Sequence, residues 1–314
     1  MRIRQTVLLA ACTALFAAPA FAAKPLKYIG ITVGDLANPF FVAIGQGAEA
    51  SAKKISGNNV KVTTVSSKYD LNTQVGQIEN FIANKADIIL VNAADPKGIA
   101  PVIEKAKAAG IVVVAVDVGA EGADLTVMSD NNMGGTESCR FMAKALNGKG
   151  NVVIVNGPPV TSVIDRVAGC KKLIATSFPG IKILSDNQDA KGSRDGGMQV
   201  MADLLTAHPK IDGVFAINDP SAVGAELAIK QAGRTDVKVI ASVDGGPDAQ
   251  VALKDKASLF AVSTAQNPYK MAQTAVQMGY DLMNGKKPAQ TTVLLPTPPI
   301  TKANVATYAG WVKQ

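Results

Sequence analysis

Asp87-Ile88-Ile89-Leu90-Val91-Asn92, with Asp95-Pro96 just after it, is an apolar run of strand length that ends on an amide and a turn. The same string returns as Asp212-Gly213-Val214-Phe215-Ala216-Ile217-Asn218, followed by Asp219-Pro220. After each copy a helical pattern runs to a glycine, Gly110 or Gly233, and a second apolar run then closes on an acid, Asp117 or Asp244. The acid follows the amide by 25 residues in the first copy and 26 in the second. The chain therefore reads as two related halves, each offering an Asn and an Asp at the carboxyl ends of successive strands. In an open parallel sheet that edge is where ligands bind, so Asn92, Asp117, Asn218 and Asp244 are candidate contacts from two sides of one cleft. The competing role is capping of the helices that follow. Asp95 and Asp219, each beside a Pro at a helix start, fit that role and are assigned to structure.

Outward from the two copies, short apolar runs alternate with amphipathic stretches from Lys27 onward. Strands are expected at Tyr28–Val33, Val60–Val65, Asp87–Val91, Ile111–Val116, Leu125–Ser129, Asn151–Val155, Ile181–Leu184, Gly213–Ile217, Val237–Val243, Leu259–Thr264 and Thr292–Leu295. Helical patterns include Phe40–Ile55, Leu71–Asn84, Pro96–Ala109, Asn132–Leu146, Asp195–Ala207, Ser221–Ala232 and Pro268–Met283. This rhythm predicts an α/β fold of two similar doubly wound, largely parallel sheets.

A chain of 314 residues, 47% of them hydrophobic, can bury two cores, whereas only 5% are aromatic, so each ring is informative. Met1 to Ala22 reads as an export signal: Arg2 and Arg4 precede an apolar run from Val7 to Ala18, and Ala20-Phe21-Ala22 is a small-residue cleavage site. Cleavage is expected near Ala22/Ala23, with the product in the periplasm. Leu9-Ala10-Ala11-Cys12 resembles a lipoprotein box, but the segment after Cys12 stays apolar where a polar tether would be needed. Removing Arg2 and Arg4 lowers the formal charge from +7 to +5, and the remaining charges are scattered, which argues against a nucleic-acid surface. Cys139 and Cys170 lie in helical patterns flanking one strand, and either a disulfide or two buried thiols fits them.

Catalytic and metal signatures are sparse. The one histidine, His208, has no Gly-x-Ser-x-Gly elbow to accompany it, and neither Cys-x-x-Cys nor a phosphate-cradling glycine loop occurs. Asp117 and Asp244 leave a carboxylate-pair hydrolase open, because their separation is not legible in sequence. What is present suits a neutral polyhydroxylated ligand: carboxylates that accept from adjacent hydroxyls, amides that donate and accept, and rings that cover an apolar C–H face. Asn38-Pro39-Phe40-Phe41, directly after the first strand run, combines an amide with two rings, and reads either as a ligand platform or as a helix start whose rings enter the core.

Taken in order, Asn38-Pro39-Phe40-Phe41, Asp117, Ser129-Asp130-Asn131 with Gly134-Gly135, Arg166, Leu204 to Pro209, Phe215 to Asp219, Asp244-Gly245-Gly246-Pro247 and Ala265-Gln266 resemble the type I periplasmic solute-binding proteins. Within them the likeness is to the ribose-binding-protein-like sugar receptors of bacterial ABC importers, and it runs over nearly the whole chain after the leader. The resemblance implies a non-enzymatic monomer without a cofactor or metal, serving a membrane ABC permease, or alternatively a chemoreceptor or sensor kinase. It implies two domains, 23–129 plus 267–295 and 130–266 plus 296–314, joined by three crossings near Asp130, Gln266 and Pro296. It also implies ligand contacts from Asn38, Phe40, Phe41, Asn92 and Asp117 on one side, and from Arg166, Asn218, Asp244 and Gln266 on the other. Two positions depart from the ribose receptors. Val118 stands where their pattern has an Arg, and Gly192 falls where a second-domain aromatic completes a ring sandwich. The expected ligand is therefore another neutral sugar or a sugar alcohol, with Phe40 and Phe41 as the pocket's only aromatic wall and Lys191 or Asp189 available to fill the gap at Gly192. A sugar-responsive repressor core would share the fold but would carry a helix-turn-helix where this chain has its leader. Trp311, the single Trp, is expected to pack against a domain instead of touching ligand.

Overall fold

The computed structural model describes residues 23–311. The leader, its cleavage site and the Cys12 alternative lie outside them. Two six-stranded sheets share one strand order. The first holds β1 (Tyr28–Val33), β2 (Lys61–Ser66), β3 (Ile88–Val91), β4 (Val112–Val116), β5 (Leu125–Ser129) and β11 (Thr292–Leu295), ordered β2-β1-β3-β4-β5-β11. The second holds β6 (Lys149–Asn156), β7 (Gly180–Asp189), β8 (Gly213–Ala216), β9 (Val239–Asp244), β10 (Phe260–Ala265) and β12 (Pro299–Thr301), ordered β7-β6-β8-β9-β10-β12. The repeat read in the sequence is thus a repeat of topology. All pairings are parallel except β10 with β12.

The central strands are apolar on both faces, as a doubly covered sheet requires. β1 and β3 are buried along their whole length. In the first half, α1 (Pro39–Ser56) and α9 (Pro268–Met283) bury Ile44, Ala48, Met271 and Ala275 against Ile29 and Ile31. α2 (Leu71–Ala83) and α3 (Ala100–Ala108) place Ile78, Phe81 and Ile103 on the opposite face, against Ile89 and Val113. In the second half, α4 (Asn131–Ala145) and α5 (Thr161–Ser177) cover one face, and α6 (Arg194–Ala207), α7 (Asp219–Gln231) and α8 (Pro247–Lys254) cover the other.

α4 and α5 cross at contact distance. A Cβ on Gly135 would lie 1.9 Å from Arg166 O, and one on Gly169 would lie 2.2 Å from Asn132 O, so only glycine permits the approach. Cys139 on α4 and Cys170 on α5 are joined there by a disulfide, which decides between the two readings left open by the sequence.

Four elements differ from expectation. β7 continues five residues past Leu184, paired with β6 as far as Asp189. α3 begins at Ala100 instead of Pro96, because Asp95 Oδ1 accepts from the backbone N–H groups of Lys97 (2.9 Å) and Gly98 (2.8 Å) and closes a separate turn first. The eight-residue α8 and three-residue β12 are too short to show a period in the sequence.

Candidate functional site

All nine residues singled out above line one cavity between the carboxyl edges of the two sheets, together with Tyr69, Val118, Pro158, Val160, Ser162, Val163, Gly192 and Ile217. The cavity is small, about 50 Å³. Asn38 follows β1, Asn92 follows β3 and Asp117 follows β4; Asn218 follows β8, Asp244 ends β9 and Gln266 follows β10. Four of these six, Asn92, Asp117, Asn218 and Asp244, are the residues that the internal repeat puts at strand edges.

The two acids share an unusual backbone. Asp117 has φ 70° and Asp244 φ 132°, both in the region that favours glycine. Each carboxylate is turned off its strand into the cleft and is nearly inaccessible, at 6% and 3% exposure. Their partners differ. Asn92 Nδ2 donates to Asp117 Oδ2 at 2.9 Å, while Asp117 Oδ1 is buried without a hydrogen-bond partner. Gln266 Nε2 donates to Asp244 Oδ1 at 2.8 Å, and Arg166 Nη1 reaches the same oxygen at 3.5 Å. Burial pushes the Asp117 carboxyl up to about 6, opposed by Arg166 and reinforced by Asp244. Burial also pushes Asp244 upward, against Arg166 and Gln266.

Arg166 is fixed on three sides. Nε donates to Asn131 Oδ1 at 2.9 Å and Nη1 to Ile217 O at 2.8 Å, in addition to the Asp244 contact. Asn131 was visible in the sequence as part of a motif but not as a support for Arg166. Gln266 is held in turn by Ser129 Oγ, which donates to its Oε1 at 2.7 Å from the other half. A second bond between the halves joins Gly119 N–H to Thr161 Oγ1 at 2.8 Å.

Capping and cavity lining prove compatible. Asn38 Oδ1 accepts from Phe40 N–H (3.0 Å) and caps α1; Asn218 Oδ1 accepts from Ser221 N–H (3.1 Å) and caps α7, while its Nδ2 donates to Gly192 O. Asp219 does not cap. It is 1% exposed and accepts from Ser242 Oγ, from Ser263 Oγ at 2.6 Å and from Gly246 N–H at 2.7 Å, tying the turn after Asp244 to α7 and β10. Burial and the neighbouring Asp244 push its pKa upward, against these donors. The sequence assignment of Asp219 as a cap is corrected: its side chain points into the sheet edge, whereas the cap is the residue before it.

Phe40 and Phe41 are both buried, meet edge to face at 5.4 Å, and line the cavity while belonging to the core behind it, so the two readings of the platform hold together. They are not its only rings, because Tyr69 lines the cavity from the turn after β2 and stands edge-on to Phe41 at 6.3 Å. Neither Lys191 nor Asp189 fills the gap at Gly192; Lys191 lines an outer chamber instead. Trp311 lies behind the site, edge-on to Phe40 at 5.6 Å, and its Nε1 donates to Asp244 O at 2.8 Å.

The periplasmic binding protein domain matches residues 29–287. The chain belongs to this family. The ribose import binding protein of Bacillus subtilis is 34% identical over 271 residues, 85% of each chain. A xylitol-binding protein of Mycolicibacterium smegmatis is 32% identical over 93% of this chain and 82% of its own. Among solved structures, a periplasmic solute binding protein of an ABC transporter from Actinobacillus succinogenes, with bound D-allose, superposes with a TM-score of 0.81 at 29% identity, covering 90% of this chain and all of that one. These family members are binding proteins, not enzymes.

Proposed function

We propose that this chain is the substrate-binding component of a sugar ABC import system and holds a neutral monosaccharide or sugar alcohol between its two halves. The observation that carries the reading is the single cavity into which both halves turn an acid and an amide, with one buried carboxylate oxygen, Asp117 Oδ1, left for a ligand donor. A hydroxyl suits that oxygen, and a polyhydroxylated ligand can engage Asn38, Asn92, Arg166, Asn218, Asp244 and Gln266 in addition, while Phe40 and Phe41 cover its C–H face. The relatives named above bind a pentose, a polyol and a hexose, which fits a pocket selecting for hydroxyls.

The mechanism is hinge closure. The halves are two domains, 23–129 plus 267–295 and 130–266 plus 296–314, connected by three segments. Without ligand, closure would bury Asp117 Oδ1 unpartnered, which disfavours it. A bound ligand supplies the missing donors and stabilises the closed form, which a membrane permease then recognises. The chain acts as a monomer, exported by the leader and cleaved near Ala22/Ala23. The Cys139–Cys170 disulfide suits that oxidising compartment. A thermal-shift screen of sugars and polyols, followed by calorimetry, tests this: at least one compound stabilises the chain with one-to-one stoichiometry, and no stabilisation by any of them would overturn the proposal.

A further inference from the structure

Lys68 and Tyr69, in the turn between β2 and α2, have φ of 54° and 58°. Two consecutive residues with side chains in the left-handed region carry a local energetic cost, which the surroundings must hold in place. They do so through several bonds to the end of β1. Ser67 N–H and Oγ both donate to Val33 O at 2.8 and 3.0 Å, Lys68 N–H and Ser66 Oγ both donate to Gly34 O at 2.8 Å, and Lys68 Nζ pairs with Asp35 at 3.0 Å. Asp70 then caps α2 through Thr73 N–H.

The turn delivers the Tyr69 ring to the cleft. A Cβ on Gly34 would lie 2.5 Å from the ring's Cε1 and 2.9 Å from its hydroxyl oxygen, so the phenol end lies directly over Gly34, and a glycine there is what admits it. The ring is half-buried, with its body against Phe41 and the core behind it, but its hydroxyl makes no hydrogen bond among the described residues, so packing accounts for the ring and no internal partner accounts for the phenol oxygen. Tyr69 lines the ligand cavity and also the outer chamber formed with Asp35, Lys191 and Arg194, and shares Asn38 and Gly192 with both spaces. These three residues are the partition between the buried site and the cleft mouth.

We infer that Tyr69 is a ligand contact and the closing wall of the site, donating its hydroxyl to an oxygen of the sugar or polyol at the end of the cavity that it shares with Gly192. The inference rests on the sugar-binding reading and adds to it a specificity determinant, since a ligand lacking an oxygen at that end would leave the phenol buried and unpaired. Burial and the carboxylates of Asp117, Asp35 and Asp244 keep the phenol protonated, so it remains a donor through the physiological range.

Calorimetric titration with D-ribose, D-allose and xylitol tests it, using wild type, Tyr69→Phe, Tyr69→Ala and Gly34→Ala, with Asp244→Ala as the control for the site. With the best of these probes, Tyr69→Phe should weaken binding about 3- to 10-fold at an unchanged melting temperature of the free protein. Tyr69→Ala should weaken it about 30-fold or more, with faster dissociation, as a wall as well as a donor is lost. Gly34→Ala, which crowds the ring without altering it, should move affinity in the same direction. If both Tyr69 variants bind as wild type does while Asp244→Ala does not bind, the inference is overturned and the sugar-binding reading stands. If wild type binds none of the three probes and no compound of the sugar and polyol screen stabilises it, both fall.

Discussion

Asp117 and Asp244 end equivalent strands of equivalent sheets at positive φ, yet their surroundings differ. In the second half Asp244 has a guanidinium, a glutamine and, behind it, the buried Asp219 anchoring the following turn. In the first half the Asp117 carboxylate has one hydrogen-bond partner, Asn92, and the residue topologically equivalent to Asp219 is the buried Ala93. Both carboxylate oxygens of Asp244 have donors within the second half, whereas Asp117 Oδ1 has none among the described residues. This division suits the proposed hinge closure, in which the side with internal partners would keep its geometry when open and the other would favour closure only on a ligand.

Substitutions at the two acids should therefore have different signatures. Asp244→Ala strands Arg166 as a buried unpaired charge, and should lower both stability and affinity, with a combined penalty of about 3–5 kcal/mol measured by denaturant unfolding and calorimetry. Asp117→Ala removes an acceptor that the free protein does not use fully. It should weaken ligand binding by about 1.5–3 kcal/mol and leave the unfolding free energy of the ligand-free protein nearly unchanged. Equal stability losses in the two variants would erase the distinction. Asp219→Asn keeps the volume but spoils the pattern of donors aimed at the carboxylate; an affinity loss of about 1–2 kcal/mol is expected, carried by Asp244, with Asp117-dependent binding retained.

The smallest effect is on pH. On the proposed closure Asp117 passes from water, where a carboxyl has its ordinary pKa of 3.8, into the burial that raises it to about 6. The closed form thus holds a proton over an interval where the open form has lost it, so ligand-free closure is favoured below that value and is lost as pH rises through it. X-ray scattering of the ligand-free protein should show a smaller radius of gyration at pH 5 than at pH 7.5, and Asp117→Asn should shrink the difference, with burial of Asp244 carrying the remainder.

Much of this was legible in the chain because the repeat and the strand edge are both written in apolar spacing. The positions of Asn92, Asp117, Asn218 and Asp244 follow from it, and all four line the cavity. Direction was not legible. Asp-Pro reads as a helix start at both Asp95 and Asp219, but the first carboxylate caps an exposed turn and the second is buried in the sheet edge, a difference set by the neighbouring strand. Tyr69 was missed because Lys68-Tyr69 contains no glycine to announce a positive φ; Gly34, which makes room for the ring, lies in a different loop. Asn131 and Ser129 act only through Arg166 and Gln266, contacts made by folding across 35 and 137 residues of sequence.

The central claim is that a polyhydroxylated ligand completes the first half of the site. A crystal structure of the chain with the tightest-binding compound from the screen tests it most directly. The account predicts the ligand between Asp117 and Asp244, with one of its hydroxyls within hydrogen-bond distance of Asp117 Oδ1. A ligand seated elsewhere, or one in the cavity that leaves this oxygen against carbon, would contradict it.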